Sequence, residues 1–499
     1  MKLIFAAPST RIVIQNGKET RAFDLQTAIN RAEPGDTIKL ISGEYFSPAV
    51  ISRSGSKGKP ITLIGPKDGS AVLDGRKEPT EARNNGSDPL DSDFAFLKLF
   101  HCKNIVLDSL SFRNCWPTSI YMRGVKDIAV RNCRGVGGRF FAYARQSVFA
   151  RTRRLLFERN NWVQDPAHDM WDGRITWPQV KRRDPAFDAS FLNGAFFASF
   201  DIDGQIAIRD CTFSHAFNAI RMDIRKRRIQ KTADGPRITR NRDVAIYRNR
   251  FAFIRDNAIE PEMGAEDWRV FNNWFFNVHA AFSLDGVAGR DLIHIANRLL
   301  NNRRPGLVGQ KNQSGKIIKF LGLKKDTDNR PTSPRKGVWF LFNSVQTRTS
   351  YAKESRTEDW NDAYNAVGLY SANHPEEPGA PRPVFAGMIW NDRIQITGLA
   401  TDDAEFPDAY AKEGARIRGF PSVGHVFEVG DFDIDPDHPL GGWDGRLTRT
   451  AEIEQLMSRE LTIERAEKPT LTLPGGVAPG AHDMQTLGLG DWDEDPPTG

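Results

Sequence analysis

The chain has 499 residues, with 69 Lys and Arg against 63 Asp and Glu, a formal net charge of +6 at pH 7. Four cysteines exclude a disulfide-built scaffold, and 39% hydrophobic with 26% charged residues excludes a wholly disordered chain. No apolar run approaches the ~18 residues that span a bilayer, and the mild basic excess fits an anionic partner of any kind.

The chain opens Met1-Lys2-Leu3-Ile4-Phe5-Ala6-Ala7-Pro8. Its apolar stretch, Leu3–Ala7, is shorter than the roughly seven residues of a secretory h-region. It reads as the start of a leaderless protein or as a mature form whose leader is gone, and residues 1–19 are set apart as an N-terminal segment. Leu25, Ala28, Ile29 and Ala32 then recur at helical spacing, with Asp24 as N-cap and Pro34-Gly35 as the stop. A short amphipathic helix is expected over 24–32. Short β-type runs follow at Thr37–Leu40, Ala49–Ile51, Pro60–Gly65 and Ala71–Gly75, separated by Gly, Ser, Lys and Pro.

A repeat emerges next, an alternating apolar strand closing on Asn or Asp. Its copies are 104–108, 127–132, 155–161, 205–210, 243–249, 267–273, 291–297 and 337–343. Asn249, Asn273 and Asn297 lie 24 and 24 apart, and other copies lie 28 to 50 apart, as loops inserted between strands require. A period in this range, with strands of four to six residues, predicts a β-solenoid. Stacked Asn side chains at the turns are expected to hydrogen-bond neighbouring backbone and to tolerate the left-handed conformation. Cys115, Cys133 and Cys211 sit at or beside these turns and read as small buried stack residues, since no two form a metal-binding C-x-x-C pair.

The opening Leu25-Gln26-Thr27-Ala28-Ile29, then Pro34-Gly35-Asp36-Thr37-Ile38, Gly43-Glu44-Tyr45 and Gly55-Ser56-Lys57-Gly58-Lys59-Pro60-Ile61-Thr62-Leu63, resembles the first coils of pectin-lyase-like right-handed parallel β-helices. It is most similar to the chondroitinase B and alginate lyase branch, polysaccharide lyase family 6. The resemblance implies an all-β, right-handed parallel β-helix over 20–395, capped by the short N-terminal helix. An irregular C-terminal extension over 396–468, with a helical run at Thr450–Arg465, is expected to pack on it. The tail 469–499 has no Lys or Arg and is expected to be disordered or loosely docked.

Aligning coils on their turns places Asn218–Asp223 over Asn257–Glu262 and then Ala280–Asp285. With Ile220, Ile259 and Phe282 inward, Arg221 and Asp223, Glu260 and Glu262, and Ser283 and Asp285 share an outward face. A carboxylate stripe of Asp223, Glu262 and Asp285 needs a cation, a proton or an arginine to offset it. Family 6 lyases hold Ca²⁺ on an E-x-E motif, which Glu260-Pro261-Glu262 matches. The resemblance thus implies a Ca²⁺ site at Glu260 and Glu262, with Asp223 as a third ligand. At the spacing of the family's catalytic lysine this chain has Asp267, and no arginine stands near Leu284-Asp285-Gly286.

Asp165-Pro166-Ala167-His168-Asp169-Met170-Trp171-Asp172 offers carboxylates, an imidazole and a sugar-stacking ring, so His168, Asp169 and Trp171 are candidate substrate-binding residues. It is similar to the D-P-H motif of mannuronan epimerases, with Ala167 interrupting the spacing; an ordinary loop is the plainer reading. Residues 221–250 carry nine Arg and two Lys against three Asp, densest at Arg225, Lys226, Arg227 and Arg228. Guanidinium groups match carboxylate or sulfate, and no nucleic-acid module is visible; a solvated loop is the alternative.

An acidic polysaccharide is the expected partner, and that substrate class implies a secreted or periplasmic protein. Three functions compete. A lyase needs carboxylate neutralisation, which Glu260 and Glu262 with Ca²⁺ or Arg221 and Arg225 could supply, and a base and an acid, for which His279, His168, Arg221 and Lys311 are the candidates. A glycoside hydrolase needs paired carboxyls, which Asp223, Glu262 and Asp285 offer. A non-catalytic glycan-binding β-helix is the third.

Overall fold

The computed structural model describes residues 2–15, 17–79, 88–232, 235–261, 264–284, 289–301, 316–319, 336–347, 350–353, 360–363, 365–371, 382–390, 393–397, 422–423, 461–463, 470–475 and 483–489. Two compact units divide the chain, Met1–Arg225 and Lys226–Asp495. Both are built of parallel coils, and the fold is a right-handed parallel β-helix. No helix among the described residues is long and apolar enough to cross a membrane.

Each full coil has three faces. Face A of the first unit stacks Leu3–Ala6, Thr37–Leu40, Ile61–Ile64, Lys103–Asp108, Lys126–Arg131, Arg153–Glu158 and Gly204–Arg209 in parallel. Face B stacks short strands, among them Ala71–Asp74, Ser111–Arg113, Arg134–Val136 and Asn161–Val163. Face C stacks Ala49–Ile51, Ala95–Phe100, Thr118–Arg123, Phe140–Arg145, Ala195–Phe200 and Ile220–Asp223.

Strand alternation sends every second side chain inward. Ile61, Ile105, Ile128, Leu155 and Ile206 therefore form one buried column on face A, and Leu63, Leu107, Val130, Phe157 and Ile208 form a second. On face B the inward column holds Leu73, Phe112, Gly135, Trp162 and Phe213. Gly135 has no substitute there: a Cβ would lie 2.7 Å from the Phe141 ring and 2.9 Å from that of Trp162.

The expected N-terminal helix is present as Leu25–Arg31, with the Thr27 N–H donating to the Asp24 side chain at 2.9 Å. It buries Leu25, Ala28 and Ile29. The segment before it belongs to the sheet, because Leu3–Ala6 pairs in parallel with Thr37–Leu40.

The turn from face A to face B is the recurring joint. One residue in it is left-handed: Ser109, Asn132, Arg159, Asp210, Arg248, Asn272, Ala296 and Phe342, with φ between 49° and 56°. Each costs about 1–2 kcal/mol for an L-residue. Sequence reasoning placed that conformation on the Asn itself, but it falls one residue earlier, where identity varies freely. Except after Ser109, where Leu110 follows, the next residue supplies the compensation. In the second unit the Asn297 Oδ1 accepts from the backbone N–H of Asn273 at 3.1 Å and from its Nδ2 at 3.0 Å. Asn273 serves Asn249 in the same way, Asn343 serves Asn297, and Asn365 serves Asn343. Each side-chain amide also donates to the preceding face A strand, as Asn273 does to the Ile246 carbonyl at 2.8 Å.

In the first unit this ladder position alternates, with Cys133, Asn160 and Cys211. The Asn160 Oδ1 accepts from the Cys133 N–H at 3.0 Å, and the Cys211 thiol donates to the Arg209 carbonyl at 3.1 Å. All four cysteines are buried and free, and burial pushes their thiols up to about 12. Cys115, Cys133 and Cys211 are buried, as the sequence suggested.

The C-terminal part departs from expectation. Arg382–Trp390 pairs antiparallel with both Asn365–Ser371 and Arg393–Thr397, inside the span assigned to the parallel helix, before Arg393–Thr397 pairs in parallel with Ser422–Val423. Leu461–Ile463, placed in a helical run by its apolar spacing, is a strand paired with Leu471–Leu473. The expected loose tail buries Leu471, Leu473, Met484, Leu487 and Leu489. Apolar burial there outweighs the acidic, Pro- and Gly-rich composition. The remainder of 396–499 and of the 450–465 run lies outside the described residues.

The ladder makes a direct prediction. Asn273→Ala removes four buried hydrogen bonds, two to Asn249, one to the Ile246 carbonyl and one to Asn297. Denaturant unfolding should show a loss of about 2–4 kcal/mol; a loss below about 0.5 kcal/mol would show the ladder to be incidental.

Candidate functional site

Face C of the first unit carries the densest outward chemistry. Strand register aligns Lys98, Tyr121, Tyr143, Ala198 and Arg221 in one column. A second column, two residues on, holds Phe100, Arg123, Arg145, Phe200 and Asp223. The residues between them, Leu99, Met122, Ala144 and Met222, are buried, so both columns point away from the core.

Tyr121 and Tyr143 lie parallel, with ring centroids 6.2 Å apart and planes 3° apart. Phe140 meets Tyr143 edge-on at 5.2 Å. Although they point outward, both tyrosines are only 1% exposed, because the segment Asp88–Asp93 passes over this end of the face. The Tyr121 hydroxyl donates to Asp91 Oδ1 at 2.7 Å, and Arg123 pairs with the same carboxylate. Lys98 Nζ donates to the Asp91 carbonyl at 2.6 Å, and Arg145 Nη1 to the Pro89 carbonyl at 3.0 Å. Burial raises the Tyr121 phenol to about 12, and burial likewise pushes the Tyr143 phenol well above its ordinary value. Partial burial pushes the Lys98 ammonium down.

The other end of the face is open. Arg221 and Asp223 are half-buried neighbours on one side of Ile220–Asp223, as the sequence phase required, and Ile220 is in the core. Arg145 and Arg225 lie 6.0 and 5.8 Å from the Phe200 ring centroid. Arg225 also reaches the buried Asp201 at 3.5 Å. Behind the face, Arg139 is buried and donates to the Asn193 carbonyl at 2.9 Å. Burial first, and then the charge of Arg221, lower its guanidinium to about 10.

The remaining expected residues fall elsewhere. In the second unit Ile259 and Phe282 are core residues, as assumed. Glu260, however, is only 7% exposed and accepts from the Asn257 side-chain amide at 2.8 Å. A carboxylate buried to that extent needs donors, so Glu260 is no solvent-facing ligand. Glu262, Asp285 and Lys311 lie outside the described residues, as does the Lys226 side chain. His279 is half-buried on the strand Trp274–Ser283. Asp267, at the spacing of the family lysine, has φ 56° within the face A strand Ala265–Phe271, in register with Asp243 and Asp291. Arg227 is exposed, and the Arg228 carbonyl accepts from Thr239. Among the described residues no group of three or more His, Cys, Asp or Glu is gathered for a metal ion.

The loop after Gln164 satisfies itself. Asp169 and Asp172 both pair with Arg174, at 3.0 and 3.1 Å, and Asp165 accepts from the Met170 N–H at 2.8 Å. Trp171 is 3% exposed, which withdraws its ring from any sugar. The adjacent Met170 belongs to an apolar cluster with Trp116, Val180 and Phe217, and that packing draws the loop inward. His168 stacks on His215 with centroids 3.6 Å apart.

Lys98, Tyr121, Arg123, Tyr143 and Arg145 were missed by reasoning from turns and carboxylates. Their signal is present as Lys98-Leu99-Phe100, Tyr121-Met122-Arg123 and Tyr143-Ala144-Arg145, one functional-core-functional triplet per coil.

No family model matches the chain, and no curated protein matches it in sequence. Among solved structures it is similar to a mannuronic acid specific polysaccharide family 6 lyase from human gut microbiota, 13% identical with a TM-score of 0.43 over 76% of this chain and 85% of that one. It is similar to the family 6 alginate lyase AlyGC at 14% identity and a TM-score of 0.42, over 72% of this chain and 45% of that one. It is also similar to pectate lyase Pel9A at 11% identity and a TM-score of 0.40, over 72% and 79%. Likeness this distant leaves the reaction to be read from this chain's own side chains.

The histidine stack makes a pH prediction. Burial, and then His168, lower His215 from 6.5 to about 4. The unfolded chain therefore takes up this proton first as pH falls, so the stabilisation is complete above pH 6.5 and is lost as pH drops toward 4. His215→Phe, which keeps a ring in the stack, should flatten the fall of melting temperature over that window; an unchanged slope would contradict the assignment.

Proposed function

We propose that the protein cleaves an acidic, uronate-containing polysaccharide by β-elimination, at the open end of face C in the first unit. The carrying observation is the pairing of Arg221 and Asp223 on one outward strand face, with Arg145 and Arg225 flanking Phe200 beside them. A guanidinium neutralises a uronate carboxylate by bidentate hydrogen bonding, and that acidifies the C5 proton. In this reading Arg221 holds the carboxylate and the Asp223 carboxylate takes the C5 proton. The C4–oxygen bond breaks as the C4–C5 double bond forms. Protonated Asp223 then returns the proton to the leaving oxygen, and the carboxylate is restored. Phe200 offers the sugar a flat face, and Arg225 holds a neighbouring acid group.

Elimination is favoured over hydrolysis by the acid count. A hydrolase needs two carboxyl groups across the scissile bond. Among the described residues of the first unit, Asp223 is the one carboxylate in the two outward columns. A calcium ion, the remaining expectation for this substrate class, would have to draw on residues outside these columns.

A panel of polyuronates tests the reading. Elimination yields an unsaturated uronide with ultraviolet absorbance, and Asp223→Asn should lower kcat by about 10²–10⁴ with little change in KM. New reducing ends without absorbance would make the enzyme a hydrolase. Binding without product would make it a glycan-binding module.

A further inference from the structure

We propose that Lys98, Tyr121, Arg123 and Arg145 form a second, carboxylate-binding subsite on face C, and that the segment Asp88–Asp93 is its built-in occupant. A uronate residue of the polysaccharide would take the place of Asp91. The inference extends the proposed function along the same face, but it concerns binding and stands apart from the chemistry at Asp223.

The argument starts from charge. Arg123 and Arg145 are direct register partners on adjacent coils, which stack ~4.8 Å apart. Like charges directly opposite each other destabilise a sheet unless an anion lies between them. Asp91 is that anion: it pairs with Arg123 and accepts from Tyr121. The cover is incomplete. Lys98 and Arg145 each meet a main-chain carbonyl of the segment, at 2.6 and 3.0 Å. Of the segment's three acids, Asp91 pairs directly with a cation, while Asp88 acts on Tyr143 and Tyr121 and Asp93 on Lys98 and Tyr121. A uronate brings a full carboxylate and ring hydroxyls to the same donors, and charge-assisted bonds are about twice as strong as neutral ones.

The parallel Tyr121 and Tyr143 rings stack coil over coil beneath the segment, with Phe140, Ala195 and Ala198 around them. The segment Asp88-Pro89-Leu90-Asp91-Ser92-Asp93 covers them with three acids in six residues. Its hold is polar and local: beyond the four contacts above, Leu90 N–H donates to Asp93 Oδ2 within the segment itself. Such a contact yields to a competing polyanion more readily than core packing does.

The test uses the full chain and D-glucuronate, with D-glucose as the neutral control. Calorimetry should show Asp91→Asn binding glucuronate about 3–10-fold more tightly than the parent, since the variant keeps the side-chain shape and loses the competing charge. Adding Arg145→Ala should abolish the gain, and glucose should show none. A folded Asp91→Asn protein with unchanged or weaker glucuronate affinity would overturn the proposal. If that variant does not fold, hydrogen exchange on the parent decides: a galacturonate oligomer should speed exchange at the Leu90 amide, and unchanged or slowed exchange would overturn the proposal. Loss of lyase activity in every assay, with these binding results intact, would remove the elimination reading and leave the subsite standing.

Discussion

The constraint on which the rest depends is the left-handed residue at the turn between faces A and B. Eight successive coils repeat it, and residues as different as Arg159, Ala296 and Phe342 accept it. Side chains that disfavour the conformation hold it because the next residue is tied into a buried amide or thiol ladder. In the second unit, each ladder Asn binds the backbone N–H of the Asn before it and a carbonyl of the preceding face A strand. A one-residue slip in any coil would break several of these bonds at once and turn the core columns outward. The ladder therefore sets register as well as turn geometry.

Register in turn makes the surface chemical. Once the coils are locked, residues two apart on successive strands become columns, and a column is an array with a fixed repeat. On face C of the first unit this places an arginine beside an arginine, a tyrosine over a tyrosine, and Arg221 next to Asp223. The first of these pairs is unfavourable without an anion, and the protein provides one from its own segment. The last is a half-buried pair of opposite charge. The same rigid stacking thus produces a covered cationic cluster and an Arg–Asp pair on one face. On the function proposed above, a glycan, itself a repeating array of rings and acid groups, is the ligand for such a surface.

Much of the fold was legible in the sequence because the repeat is periodic in the property that folding reads. Alternation within strands, turn residues between them and the 24-residue spacing of Asn249, Asn273 and Asn297 all report local rules. The capping helix was legible through Asp24 and its apolar spacing. Face C was legible at Ile220, where Arg221 and Asp223 follow the assumed phase. At Glu260 the phase held, opposite the core residue Ile259, but the side chain is buried nevertheless. Periodicity reports the direction of a side chain and not what covers it. Trp171 is the converse case: an aromatic beside His168 and two acids resembles a sugar site in sequence, yet apolar neighbours from distant segments draw it inward. Tyr121, Arg123 and Arg145 were illegible for a third reason, since their partner Asp91 comes from a loop whose path no repeat dictates.

The central claim is that an acidic sugar lies along face C with its carboxylate on Arg221 and its reacting carbon at Asp223. The most direct measurement is a crystal structure of the Asp223→Asn protein with a bound oligouronate. The account predicts a sugar carboxylate within hydrogen-bonding distance of the Arg221 guanidinium, a ring against Phe200, and the C5 hydrogen directed at the substituted side chain. An oligouronate bound across face A or face B, or on face C with its carboxylates turned away from Arg221, would contradict it.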